Sequence, residues 1–514
     1  MEEVELVFGL LVVVALIATL SRRLGVPYPI LMVLGGLGLG LIPGMPRVRL
    51  TPDLVLLIFL PPILFSAAYF TSFRDLRANL RQVGQLAFVL VLITTVVVAV
   101  VVHWLQPALG WPAAFALGAI VSPPDAIAAT SIAQRIGLPR RAVVILEGES
   151  LVNDATALTA YRVAVGVAVG TTFVASQALL QLVVTVLGGV LIGLAVGWII
   201  VWIEGRLNDP PVEITVSIIA PFAAYLPAER LGLSGVLACV VAGLMLGRAA
   251  PRVLTSQSRV LGSAVWEMVI FLINAFVFVL IGLQLPAIAA STGRALGEFL
   301  AVGLAVAAAV VLTRILWIFA ASYGGVALSG WIGGGLRGWR QVMVVSWSGM
   351  RGSVSLAAAL ALPADFPAHD LIVFSAFVVI LVTLVGQGLT LPLLIRRLGV
   401  TGDEEFGEEE SHARQVANEA ALARIAGMAG EWPDHLPLVR QLQERYEHRS
   451  EHVSADPNDE AADQELLEHR QIRHEVIETE RLAVIHLRDI GEINDAVLRR
   501  LERELDLEEL RMEA

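Results

Sequence analysis

The chain has 514 residues, of which 56% are hydrophobic, with a mean hydropathy of +0.74 and a formal net charge of −11. A soluble globular protein is about 45–50% apolar, and several runs here exceed the ~18 apolar residues that mark a membrane-spanning helix, which excludes a large soluble protein. Residues 1–400 hold 23 basic and 17 acidic residues, whereas residues 401–514 hold 13 and 30; the shift marks a transmembrane domain (1–400) and an acidic tail (401–514), and an acidic soluble part offers no surface to nucleic acid.

Every basic residue is arginine, a feature of composition and not of chemistry, and Cys239 is the only cysteine, which excludes an intrachain disulfide and most thiolate metal sites. The first apolar run, 4–20, has an acidic start, Glu2, Glu3 and Glu5, and is followed by Arg22 and Arg23. A secretory signal carries its positive charge before the run, so this segment reads as a retained span. Further spans are predicted at 26–44, 52–70, 83–105, 112–134, 141–166, 177–203, 212–226, 232–248, 258–284, 296–322, 340–362 and 370–395, about thirteen in all. With the N-terminus outside, inner loops carry sixteen arginines and outer loops four, Arg47, Arg49, Arg230 and Arg294. The positive-inside rule therefore puts the N-terminus outside and the tail in the cytoplasm of a cell-membrane protein, with Arg47 and Arg49 as misfits.

The fifth span contains Ser122-Pro123-Pro124-Asp125. Two prolines at mid-membrane remove amide donors and clash with preceding carbonyls, so the helix opens there. Open backbone survives at that depth only beside protein or a water-filled cavity. The twelfth span has a second soft point, Ser346-Trp347-Ser348-Gly349-Met350-Arg351-Gly352-Ser353. If spans 1–6 and 8–13 form two repeats, each break falls in the fifth span of its half, and the single span between them inverts the second repeat. Interrupted helices at matching positions of inverted halves point to a transporter's midplane site. The expected fold is an all-α polytopic membrane protein of two inverted six-helix repeats with crossing interrupted helices and a helical tail.

The sixth span reads Glu147-Gly-Glu149-Ser150-Leu-Val-Asn153-Asp154-Ala. On a helix, Glu147, Ser150 and Asp154 share one face through i+3 and i+4 spacing, and Glu149 and Asn153 share the neighbouring one. The first face offers hard oxygens that suit an alkali cation or a proton. The second offers a carboxylate and an amide that suit an arginine. Arg162, Arg314 and Arg351 are the arginines left inside spans. One buried carboxylate alone is readily explained as an ion pair; three on one helix, beside a broken helix, indicate a functional site.

Ser-Pro-Pro-Asp-Ala (122–126), Glu-Gly-Glu-Ser-Leu-Val-Asn-Asp-Ala (147–155), Ser-Gly-Val-Leu-Ala (234–238), Asn-Ala-Phe-Val-Phe-Val-Leu-Ile-Gly-Leu-Gln (274–284) and Gly-Met-Arg-Gly-Ser-Val-Ser-Leu-Ala (349–357) carry a resemblance. Together they resemble the sodium/proton exchangers of the cation–proton antiporter superfamily, in its electroneutral branch, across nearly the whole membrane body. The resemblance implies a homodimer with one ion site per protomer and a six-helix core that moves against a dimerisation scaffold. By motif, Asp154 looks like the carboxylate that takes either cation or proton, with Ser150, Asp125 and Asn153 as further members of the site. Na+ (or K+) would be held at Asp154, Ser150 and Asp125. Glu149 looks like the acid paired with an arginine, for which Arg314 is the choice, and Arg351 matches the arginine of the second broken helix, with no partner assigned. No cofactor is implied beyond the transported ions.

Two positions depart from the family pattern. Pro124 stands where many members have threonine, and Ser66, after Pro61-Pro62-Ile63-Leu64-Phe65, stands where many have glutamate. Ser66 would then replace a charged ligand by a neutral hydroxyl, which opens K+/H+ exchange as an alternative. A cation channel, the alternative from another class, would need a continuous pore with several weak sites. Enzymatic chemistry has little support: His103 and His369 both fall near predicted span ends, and neither His-Glu-x-x-His nor Gly-x-Ser-x-Gly occurs. The tail holds seven histidines and a predicted helix break at Asp456-Pro457-Asn458. It reads as a solvated helical domain, with a cytoplasmic pH sensor, resting on histidines that titrate near neutrality, as the alternative.

Overall fold

The computed structural model of the chain describes residues 2–42, 54–125, 138–170, 174–292, 296–323, 338–363, 365–400 and 404–453, with scattered residues between 471 and 509. The second half of the fifth predicted span, the loop arginines Arg47, Arg49, Arg135, Arg294 and Arg337, and the tail break at Asp456-Pro457-Asn458 lie outside the described residues.

The membrane body runs α1 (Glu2–Leu24), α2 (Tyr28–Gly40), α3 (Leu60–Phe70), α4 (Phe73–Ala78), α5 (Leu80–Leu105), α6 (Trp111–Val121), α7 (Arg140–Ala168), α8 (Ala175–Glu204), α9 (Pro210–Arg230), α10 (Gly235–Val253), α11 (Ser256–Thr292), α12 (Leu296–Tyr323), α13 (Trp339–Trp347), α14 (Ser353–Leu360) and α15 (His369–Leu398). No strand occurs among the described residues. A bilayer core leaves backbone groups no water to bond with, so a chain this apolar satisfies them inside helices. Helix ends follow the local chemistry. Ser72 caps α4 by accepting from the Asp75 amide at 3.3 Å, and Ser234 caps α10 by accepting from the Leu237 amide at 3.2 Å. Gly399, in the left-handed region at φ 61°, closes α15 after Arg396 and Arg397, where cations complement the negative end of the helix dipole.

Seven described segments, including α5, α8 and α15, are long and apolar enough to cross a bilayer. Three of the other expected spans depart from that simple form for visible reasons. The twelfth is split into α13 and α14, α6 stops at Val121 before the two prolines, and α7 is interrupted chemically by its carboxylates while remaining one helix of 29 residues.

Helices approach closely where side chains vanish. Gly36 of α2 meets the Val279 carbonyl of α11, and Gly282 of α11 meets the Val33 carbonyl of α2, so a Cβ at either would fall on backbone. Such mutual contact holds membrane helices by packing alone, since lipid supplies no hydrophobic drive between them. A large apolar core around Met32, Val98, Leu117, Phe278, Val306 and Phe377 joins α2, α5, α6, α11, α12 and α15. A second, around Phe65, Tyr225, Cys239 and Trp266, joins α3, α9, α10 and α11. Outward-facing residues such as Leu180, Leu187, Leu191 and Trp198 on α8 are exposed, as expected of a surface solvated by lipid.

The chain divides into two compact units, Met1–Gly402 and Asp403–Ala514. In the second unit α16 (Glu404–Glu431) packs on α17 (Leu436–Val453), and the Asn418 amide donates to the Tyr446 carbonyl at 3.0 Å. Arg424 binds Glu431 through both carboxylate oxygens at 2.8 and 2.9 Å, and Arg481 joins Asp506 and Glu509 at 2.7 and 2.8 Å.

Candidate ion site

The two soft points cross. After α6 the chain leaves the helix at Ser122–Asp125, and between α13 and α14 it is non-helical from Ser348 to Gly352. The Asp125 amide donates to the Met350 carbonyl at 2.7 Å, so each break satisfies part of the other's backbone. Arg351 spans the crossing. Its Nε donates to the Val121 carbonyl at 3.0 Å and one Nη to the Ser122 carbonyl at 3.3 Å, while the other Nη donates to the Gly349 carbonyl. Its backbone amide donates to Thr383 Oγ1 of α15 at 3.1 Å. The first two carbonyls close α6 and the third lies just beyond α13, where helix dipoles are negative. The partner of this arginine is therefore a set of carbonyl groups.

The acid of the crossing sits at the opposite kind of helix end. An added Cβ at Gly352 would overlap the Asp125 carboxylate, which places that group against the first turn of α14. A helix N-terminus presents its free amides and the positive end of its dipole there. Each break thus pairs one side-chain charge with half-helix ends of opposite sign.

Helix α7 passes beside the crossing and presents two different faces. Glu147, Ser150 and Asp154 line a cavity of about 610 Å³. Ser66 of α3, Asp125, Gly352 and Ser353 line it too, as do Tyr28 of α2 and Trp266, Glu267 and Asn274 of α11. Asp154 is 5% exposed, and among the described residues no hydrogen bond or ion pair reaches its carboxylate. On the other face Glu149 takes Arg314 of α12 as a two-point pair, at 2.5 and 2.8 Å, with both side chains 1% exposed. This fork-to-fork geometry is the strong form of the interaction, and each partner supplies what the other's desolvation requires.

Asn153 departs from the expectation. It does not line the cavity and does not hold an arginine; its fully buried amide donates to the Pro124 carbonyl at 2.8 Å. The prolines that open α6 leave carbonyls needing donors, and Asn153 supplies one. Arg162 also lies apart from the cavity, half-exposed and paired with Glu229 at 2.8 Å. Among the described residues no cluster of three histidine, cysteine or acidic side chains is arranged to hold a resident metal.

Sequence reasoning missed Tyr28, Trp266, Glu267 and Asn274 as cavity residues. Asn274 begins one of the motifs above, and Glu267 is a charge inside the predicted span 258–284, the same kind of signal as on the sixth span; Tyr28 and Trp266 carry no comparable signal. The family model described as "Sodium/hydrogen exchanger, transmembrane" matches residues 10–397.

The chain belongs to the sodium/hydrogen exchanger family.

Exchanger relatives extend that match. An uncharacterized Na(+)/H(+) exchanger of Mycobacterium bovis is 40% identical over 99% of this chain and 97% of its own length. The Na(+)/H(+) antiporter ApNhaP of Aphanothece halophytica is 32% identical over 80% of this chain and 77% of its own. Among solved structures, the sodium proton antiporter MjNhaP1 of Methanocaldococcus jannaschii at pH 8 matches with a TM-score of 0.59 and 20% identity, covering 77% of this chain and 99% of that one. At that identity the likeness is one of fold. The protein is a multi-pass membrane antiporter of a family that exchanges Na+ and H+, and the crossing breaks occur in an exchanger fold.

Proposed function

We propose that the protein exchanges one Na+ for one H+ by alternating access, with Asp154 as the group that both ions compete for. The observation that carries this is the contrast on α7: Glu149 is neutralised by Arg314, whereas Asp154 lines the cavity with no such partner among the described residues. A bare carboxylate at membrane depth is costly. A cation or a proton offsets that cost, so the loaded carrier crosses between its two open states and the empty anion does not. Obligatory exchange follows from this asymmetry.

Ser150, Asp125 and Ser66 supply the other oxygens around the cation, and Asn153 serves the site indirectly by holding the Pro124 carbonyl. Glu149 with Arg314 is a structural lock that adds no net charge. Only one acid then exchanges its charge, giving electroneutral one-for-one exchange. The protein works as a homodimer in the cell membrane, with its N-terminus outside and its acidic tail, a regulatory domain, in the cytoplasm.

Potassium is the second reading. Ser66 and Pro124 remove two oxygens from the family pattern, which leaves fewer ligands to strip water from the smaller sodium ion. A relative in Bacillus pumilus, 28% identical over 82% of this chain, is named a sodium, potassium, lithium and rubidium/H(+) antiporter. The deciding experiment reconstitutes the purified protein in vesicles and follows internal pH after pulses of Na+, K+ or Li+. Sodium-driven alkalinisation absent in Asp154→Asn is expected. Sodium-driven proton movement that survives this substitution would remove Asp154 from its role, and a flux of Na+ without counter-moving H+ would favour a channel.

A further inference from the structure

A second cavity, also of about 610 Å³, opens beside the end of α3, away from the exchange site and sharing with it only Phe70. Three arginines line it: Arg74 and Arg77 from α4 and Arg248 from α10. No acidic side chain lines it among the described residues; Asp75, in the same turn of α4, pairs with Arg140 at 2.8 Å and with Arg74 at 3.7 Å. Arg77 makes no hydrogen bond or ion pair with any described residue. Arg248 stacks on Phe73, its guanidinium 5.1 Å from the ring centre, which holds the cation at the mouth. Phe70 and Phe73 line the same cavity and are 56% and 40% exposed.

We propose that this cavity binds the phosphate group of an anionic phospholipid. Guanidinium forks match phosphate oxygens in pairs. A basic pocket between helices on the arginine-rich side of a membrane protein lies at headgroup depth, where anionic lipid is available. The exposed aromatic rim favours a lipid source over free phosphate, because it offers the acyl chains an apolar surface that a soluble anion cannot use. Arg77 and Arg248 also come from different parts of the body. Helix α4 is tied to α7 through Asp75–Arg140, and α10 packs against α3 and α8. One phosphate between them would join α4 to α10, both of which also pack on α7, the helix that carries Asp154.

The test measures thermal unfolding of the full-length purified protein in a mild detergent as phosphatidylglycerol, phosphatidylcholine or inorganic phosphate is added. Phosphatidylglycerol is expected to raise the melting temperature and phosphatidylcholine is not. In R77Q/R248Q the lipid's apparent affinity should fall on the order of tenfold to thirtyfold, the loss expected for two arginines at an anionic surface, while the melting temperature without lipid stays at the wild-type value. R22Q/R23Q, changed on the same arginine-rich side, should keep the full response. An equal loss in R22Q/R23Q, or an unchanged response in R77Q/R248Q, overturns the site. A matching shift with inorganic phosphate overturns the lipid source.

Discussion

Glu149 and Asp154 stand on the same helix, 1% and 5% exposed, and the protein treats them in opposite ways. Glu149 has both oxygens on the Arg314 guanidinium. Asp154 faces a cavity with no such cation. The comparison teaches that burial alone does not separate a structural charge from a working one; the partner does. A fully paired acid has nothing left to offer a cargo ion, and breaking its pair strands a charge in a dry interior. An acid left beside a cavity costs stability until something binds, and in the proposed exchange that cost drives ion loading.

The same chemical change made on the two faces should therefore give opposite results. Asp154→Asn should reduce sodium-driven proton exchange in proteoliposomes to the protein-free background, with the melting temperature unchanged or raised, since it removes an unpartnered charge. Glu149→Gln should lower stability by about 3–5 kcal/mol, because Arg314 is then buried without its anion. A variant pair in which Asp154→Asn unfolds the protein and Glu149→Gln does not would reverse the assignment of the two faces.

A double-mutant cycle sharpens the same contrast. Glu149→Ala and Arg314→Ala should each lower the melting temperature substantially, and the double variant should lose less than the sum, because neither stranded charge remains. Strict additivity would show that the two groups act independently in the folded protein.

The crossing has its own intermediate test. Gly352 leaves room for the Asp125 carboxylate, and a methyl group there would overlap it. Gly352→Ala should cost about 1–3 kcal/mol, the usual range for overpacking, and should weaken sodium activation of exchange as Asp125 is displaced. Wild-type stability and an unaltered sodium dependence would mean that the first turn of α14 does not position Asp125.

The sequence makes some of this arrangement readable and hides the rest. The helical membrane body follows from apolar runs and the absence of water to satisfy backbone. The breaks follow from Pro123-Pro124 and from glycines flanking Arg351. The carboxylate spacing on α7 separates the face with Glu147, Ser150 and Asp154, which the structure turns to the cavity, from the face with Glu149. The carbonyls that hold Arg351 are invisible in sequence, because every residue has one and only the fold decides which are left unpaired. Asn153, expected among the ion-site residues, donates to the Pro124 carbonyl, a contact that depends on where the open chain passes. Tyr28 and Trp266 give no signal, since a lone aromatic residue in a membrane span does not mark the side that meets a cavity.

The smallest expected effect is none at all, and it bears on the whole comparison. If Glu149 is neutralised by Arg314 and Asn153 carries no charge, the ion exchanged at Asp154 sets the stoichiometry. One cation in and one proton out then moves no net charge, and the exchange equilibrium should not respond to membrane potential. Moving one net charge would couple it at about 2.3 kcal/mol per 100 mV, a shift of roughly fiftyfold in the ion ratio that no assay would miss. Asp125 and Glu147 also line the cavity, and if either released a proton in the same cycle the voltage would register it. The measurement belongs on the unmutated protein, because Asn153→Asp would add an acid whose proton could be held locally without entering the cycle. Vesicles clamped with potassium and valinomycin, after a potassium-only control has shown that potassium is not carried, should reach the same sodium-driven pH difference at two potentials. A clear difference between them would mean that more than one acid on the cavity face exchanges its charge, and Asp154 would lose its sole claim to it.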